Sequence, residues 1–97
     1  MSLNVIPAER QEIEQILRTH IPGRTVLAFG SRVKGTDRLV SDLDLLVLGD
    51  ALSDTQRLGL ITAFSDSNLP YFIDIIEDIN ISDEFRSAIM PSTEKLQ

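Results

Sequence analysis

The stretch Phe29-Gly30-Ser31-Arg32-Val33-Lys34-Gly35-Thr36-Asp37-Arg38-Leu39-Val40-Ser41-Asp42-Leu43-Asp44-Leu45-Leu46-Val47-Leu48 decides the fold. It opens where a short apolar run, Thr25 to Phe29, is closed by a Gly-Ser pair. That run is too short for a helix and carries Thr and Val, so it reads as a strand. A loop or short helical turn from Ser31 to Ser41 follows, and Asp42 to Leu48 reads as a second strand whose apolar end is buried on both faces. Side chains alternate along a strand, so Asp42 and Asp44 project from one face, about 7 Å apart along the backbone.

Two carboxylates at that spacing can converge on one hard cation or a close pair. Gly30 stands where the first strand ends, and a glycine there lets the backbone turn sharply and approach a ligand. Backbone N–H groups and the Ser31 hydroxyl can hold phosphate oxygens. Phosphate and carboxylate repel each other unless a metal lies between them, so a Gly-Ser turn facing an Asp pair implies a metal–nucleotide complex.

Working outward, Ala8 to His20 reads as an amphipathic helix with Ile13, Ile16 and Leu17 on one stripe, led by Pro7 and ended by Pro22-Gly23. Ser53 and Gln56 fit a capping box for a helix over Asp54 to Ser65, with Leu58, Ile61 and Phe64 as its apolar stripe. Tyr71 to Glu77 is a third strand by its aromatic and β-branched content, and Ser82 caps a last short helix from Asp83 to Met90, stopped by Pro91. Asp74 interrupts that strand between Ile73 and Ile75; burying it unpaired is costly, so it is expected at a polar site. If this strand neighbours the second, Asp74 can share the metals and take a proton from an attacking hydroxyl.

Gly30-Ser31, ten residues, then Asp42-Leu43-Asp44, with Asp74 on a later strand, resembles the minimal nucleotidyltransferases of the DNA polymerase beta superfamily. The resemblance implies an α/β (α+β) nucleotidyltransferase fold, a three-stranded mixed sheet flanked by about four helices, with two magnesium ions as cofactors and ATP as substrate. By the same resemblance Asp42, Asp44 and Asp74 are metal ligands and catalytic residues, Asp74 also assisting deprotonation of the acceptor. Gly30 and Ser31 hold the triphosphate, with Arg32 and Lys34 as further nucleotide-binding candidates.

Short members of that family often act as antitoxins, transferring AMP from ATP to a tyrosine of a HEPN ribonuclease toxin in a hetero-oligomer. The chain, read as one minimal domain over residues 1–97, is expected to do the same, having neither a recognisable substrate-binding domain nor the toxin's Arg-x4-to-6-His motif. Two alternatives stand beside this: a non-catalytic antitoxin that occludes the toxin, and a nucleotidyltransferase acting on a small molecule with a second chain.

Composition narrows the classes. Nine Lys and Arg against fifteen Asp and Glu give a formal net charge of -6, which disfavours direct nucleic-acid binding. The absence of Cys excludes disulfides, thiolate metal sites and a Cys nucleophile. No apolar run approaches the roughly 20 residues of a membrane span and the N-terminus is not a signal peptide, so a cytoplasmic protein is expected. His20, the single histidine, reads as a helix C-terminal residue, Tyr71 as packing, and Glu77, Asp78, Asp83 and Glu84 as solvated surface and helix-start charge.

Overall fold

The computed structural model describes residues 5–30 and 42–97. Its elements are α1 (Pro7–His20), β1 (Val26–Phe29), β2 (Leu43–Val47), α2 (Asp54–Ser65), β3 (Ile73–Glu77), a 3-10 turn (Asp78–Asn80), α3 (Asp83–Ile89), a second 3-10 turn (Met90–Ser92) and β4 (Glu94–Lys95). The loop or helical turn expected over Ser31 to Ser41, and with it Ser31, Arg32 and Lys34, lies outside the described residues.

Local chemistry accounts for the helix starts. Pro7 at the first turn of α1 has no N–H to leave unsatisfied. Ser53 Oγ accepts from the Gln56 N–H at 3.1 Å while Gln56 Oε1 accepts from the Ser53 N–H at 3.0 Å, the reciprocal capping box at the start of α2. Ser82 Oγ accepts from the Phe85 N–H at 3.1 Å and starts α3.

The sheet is mixed, in the order β3-β2-β1-β4. β1 runs antiparallel to β2 and β4, whereas β2 and β3 are parallel, joined by the α2 crossover. Its inner face carries Val26, Ala28, Leu43, Leu45 and Val47, which bury against Ile13 and Leu17 of α1 and Leu60 and Phe64 of α2. Alternation turns Phe29, Asp44, Leu46 and Asp74 to the opposite face. Leu46 is fully buried there, so the apolar end of β2 is covered on both sides. Phe29 meets Phe85 of α3 edge to face, with ring centroids 6.0 Å apart.

One expectation needs correction: the sheet of the described residues has four strands, not three. Those residues hold three α-helices, and the further helical turn expected over Ser31 to Ser41 lies outside them. The fourth strand comes from the polar C-terminal segment: Glu94 and Lys95 pair with Ala28 and Leu27, the Leu96 N–H donates to the Val26 carbonyl at 2.9 Å, and Leu96 is buried. A two-residue strand with a charged pair shows no periodicity, and charge on an edge strand is what discourages further pairing. Arg10 of α1 pairs with Glu94, and Gln97 Nε2 donates to the carbonyls of Ile21 at 2.8 Å and Arg24 at 3.1 Å, tying this end down.

The α2 stripe is also displaced. Leu60 and Phe64, four apart, face the core, while Leu58 is 66% and Ile61 53% exposed. With Leu58, Leu60, Ile61, Ala63 and Phe64 spread around the helix, several faces read as apolar. Packing against α1 buries the Leu60/Phe64 face, and a Cβ on Gly59 would lie 2.8 Å from His20 Nδ1, so that glycine leaves room for the His20 side chain against α2. No described helix is long and apolar enough to cross a membrane.

Candidate active site

The parallel pairing of β2 and β3 sets Asp44 directly opposite Asp74. Neighbouring strands lie about 4.8 Å apart, so the two carboxylates leave adjacent backbones on the same face. Asp42 precedes β2 by one residue and by alternation shares that face. Asp42 and Asp74 are exposed and Asp44 is half-buried. Within the described residues none of the three has a hydrogen-bond or ion-pair partner.

Partial burial, and then the negative charges of Asp74 and Asp42, push the Asp44 carboxyl above the usual aspartate range. No group of three His, Cys, Asp or Glu side chains among the described residues is closed up as a metal cluster.

Gly30 ends β1 with φ +90°, a conformation that costs a side-chain-bearing residue. Its second role was not legible in the spacing. Phe29 pairs with Asp44 across the β1–β2 ladder, and the Asp44 carboxylate folds over Gly30 where a side chain would start. A methyl group there would overlap Asp44 Oδ2 and come within 3.3 Å of its Cγ. Gly30 therefore both turns the chain and seats the central acid.

A charged clamp fixes the far end of the parallel pair. Glu77, only 8% exposed, accepts from Arg57 Nε at 2.8 Å and Nη2 at 3.1 Å and from the Leu52 N–H at 2.8 Å. Arg57 first, then the Leu52 N–H, hold the Glu77 carboxyl below the usual glutamate range. The clamp ties β3 to the start of α2 and so holds the register that sets Asp74 beside Asp44.

The reading of Glu77 and Asp78 as solvated charge is thus corrected. Glu77 is buried, and Asp78 accepts from Arg86 Nε at 2.8 Å. Asp83 and Glu84 are exposed at the start of α3, as helix-start charge. The cue lay in Arg57 and Arg86, two arginines available for two of the acids; sequence separation concealed their pairing. Tyr71 is buried and donates to Glu9 Oε1 at 3.1 Å, in keeping with a packing role.

Three acids on one face of a mixed sheet, with a glycine turn against the central one, match the arrangement expected of a nucleotidyltransferase. The chain belongs to the polymerase beta nucleotidyltransferase family, whose model matches residues 11–96. It is similar to the probable protein adenylyltransferase MntA of Haemophilus influenzae, 39% identical over 88 residues that span 90% of this chain and 77% of that protein. Its structure resembles a toxin–antitoxin crystallised with AMP-PNP, at 27% identity and a TM-score of 0.73, over 91% of this chain and 72% of that one. A likeness of fold alone, at 22% identity and a TM-score of 0.67 over 93% and 70%, extends to the complex of a tri-AMPylated Shewanella oneidensis HEPN toxin with its MNT antitoxin.

Proposed function

We propose that the chain transfers AMP from ATP to a tyrosine hydroxyl of a cognate HEPN toxin and acts by that modification as its antitoxin. The observation that carries this reading is the pairing of Asp44 with Asp74 beside the Gly30 turn. The kinship with a probable protein adenylyltransferase and with a toxin–antitoxin that takes AMP-PNP supports the donor and the acceptor class.

Three carboxylates with no nitrogen or sulfur donor suit a hard divalent cation, and the partial burial and repulsion that raise the Asp44 carboxyl are what such a cation offsets. Asp42, Asp44 and Asp74 would therefore hold two magnesium ions, which supply charge neutralisation at the triphosphate and at the leaving pyrophosphate. Gly30 and Ser31, with Arg32 and Lys34, bind the triphosphate oxygens. Asp74, exposed on the edge strand β3, receives the acceptor's proton. The acceptor oxygen then bonds to the α-phosphorus as the bond to the β-phosphate bridging oxygen breaks, and pyrophosphate departs.

Incubation with labelled ATP, magnesium and the toxin should label the toxin, and an Asp42→Ala/Asp44→Ala double variant should not. Labelling that survives the double variant, or none with the wild-type chain, overturns the reading. Inhibition of the toxin that persists in the double variant assigns the antitoxin effect to occlusion.

A further inference from the structure

Phe72 is 81% exposed, the most exposed large hydrophobic residue among those described. Its backbone already belongs to the β2–β3 ladder, because its carbonyl accepts from the Leu43 N–H at 2.9 Å. Alternation there is clear: Tyr71, Ile73 and Ile75 turn toward the core, while Phe72 and Asp74 turn outward. Phe72 thus stands on the acid face about 7 Å from Asp74 along the strand. It also walls a groove of about 580 Å³ between α2 and β3, with Ile61, Phe64, Leu69 and Ile73 among its lining. No charged residue lines that groove, so it offers nothing to a triphosphate or a nucleic-acid backbone.

The geometry points to Phe72 and this groove as the seat of the acceptor: an apolar segment of the toxin lies in the groove, and its acceptor tyrosine packs on the Phe72 ring beside Asp74. This rests on the reading that the chain adenylylates a protein hydroxyl. The placement argues for that occupant, because Phe72 both lines the groove and stands two residues before Asp74 on the acid face, at the edge strand of the sheet. An exposed aromatic on a rigid strand gains on burial by a partner and loses little conformational freedom, the usual character of an interface anchor. Ile61, exposed on α2 and lining the same groove, extends the apolar contact away from the transfer point.

Two measurements on the full chain with purified toxin test this. In the transfer assay, Phe72→Ala should raise the toxin KM roughly ten- to hundredfold, leave the affinity for magnesium and AMP-PNP within twofold, and regain a near-normal KM as Phe72→Trp. In the binding assay, the indole fluorescence of Phe72→Trp should change on addition of toxin and not on addition of AMP-PNP. A toxin KM unmoved by Phe72→Ala overturns the assignment, as does a loss confined to nucleotide affinity, which would place the purine on this ring. Failure of the wild-type chain to label toxin refutes the transferase reading instead, and a fluorescence response to toxin would still support the docking surface.

Discussion

Replacing Gly30 by Ala separates two costs that the structure places on one atom. The first is conformational: at φ +90° an L-side chain meets its own backbone, at about 1–2 kcal/mol. For a chain of this size each kcal/mol lowers Tm by about 4–8 °C. The second is a collision with Asp44, whose Oδ2 occupies the space the methyl group needs. That oxygen ends a rotatable side chain, so the carboxylate swings away, at about 0.5–1.5 kcal/mol for an off-rotamer setting. A ligand displaced by about 1 Å is enough to slow the chemistry about 100-fold.

The stability of four proteins, wild type, Gly30→Ala, Asp44→Ala and the double variant, measured by denaturant melts without nucleotide, isolates the collision from any phosphate contact. Gly30→Ala should cost less in the Asp44→Ala background, by the swing alone, and AMP transfer in the single variant should fall much further than Tm suggests. Equal costs in both backgrounds, or transfer retained within threefold, would refute the claim that Gly30 seats the acid.

Asp44→Asn should stabilise the metal-free chain by a few tenths to about 1 kcal/mol at neutral pH, the scale of partly screened charge interactions. The sign follows from a carboxyl raised by burial and by Asp74 and Asp42: the penalty is absent below the ordinary aspartate pKa and complete above the raised one. Melts of this variant and wild type should therefore converge as pH falls through that window. For the same reason, apparent magnesium affinity should decline on acidification at a higher pH than an unperturbed aspartate would give. Glu77→Ala leaves the buried Leu52 N–H without its acceptor, at about 1–3 kcal/mol, and Glu77→Gln should flatten the acid limb of stability. That limb exists because Glu77 is held low: its stabilisation is present above the ordinary glutamate pKa and is lost as pH drops through the lowered one. Leu96→Ala should cost about 2–3 kcal/mol in a chemical melt if β4 belongs to the core, and almost nothing if it is a loose tail.

The elements legible in advance were those whose own residues state their period or their ends. Ile13 and Leu17 declare α1, the Ser53/Gln56 box starts α2, and the β-branched run around Asp74 gives β3. What stayed hidden depends on residues far apart in the chain. β4 exists because Leu96 finds space under β1 and Arg10 finds Glu94, 84 positions away. Glu77 is buried because Arg57, 20 positions earlier, reaches it from α2. At the site, the spacing predicts that Asp42 and Asp44 share a face, but only the strand register brings Asp74 beside Asp44 and the Asp44 carboxylate over Gly30.

The two faces of the sheet divide the work. β2 sends Leu43, Leu45 and Val47 into the core and Asp44 to the other side, so the residues that most strongly fix the strand's position are the immediate neighbours of the acid. Any slip of β2 by one residue would bury Asp44 and expose Leu43 or Leu45, so hydrophobic burial itself enforces the register of the carboxylates. The repulsion among Asp42, Asp44 and Asp74 is an order of magnitude weaker than that combined burial, which is why the fold can hold three acids together that have no partner among the described residues. The same logic makes the acid face permissive: Phe72 is exposed, and Asp74 has no partner among the described residues, at little cost to the core. Both are therefore free to be set by what binds there rather than by what holds the chain together.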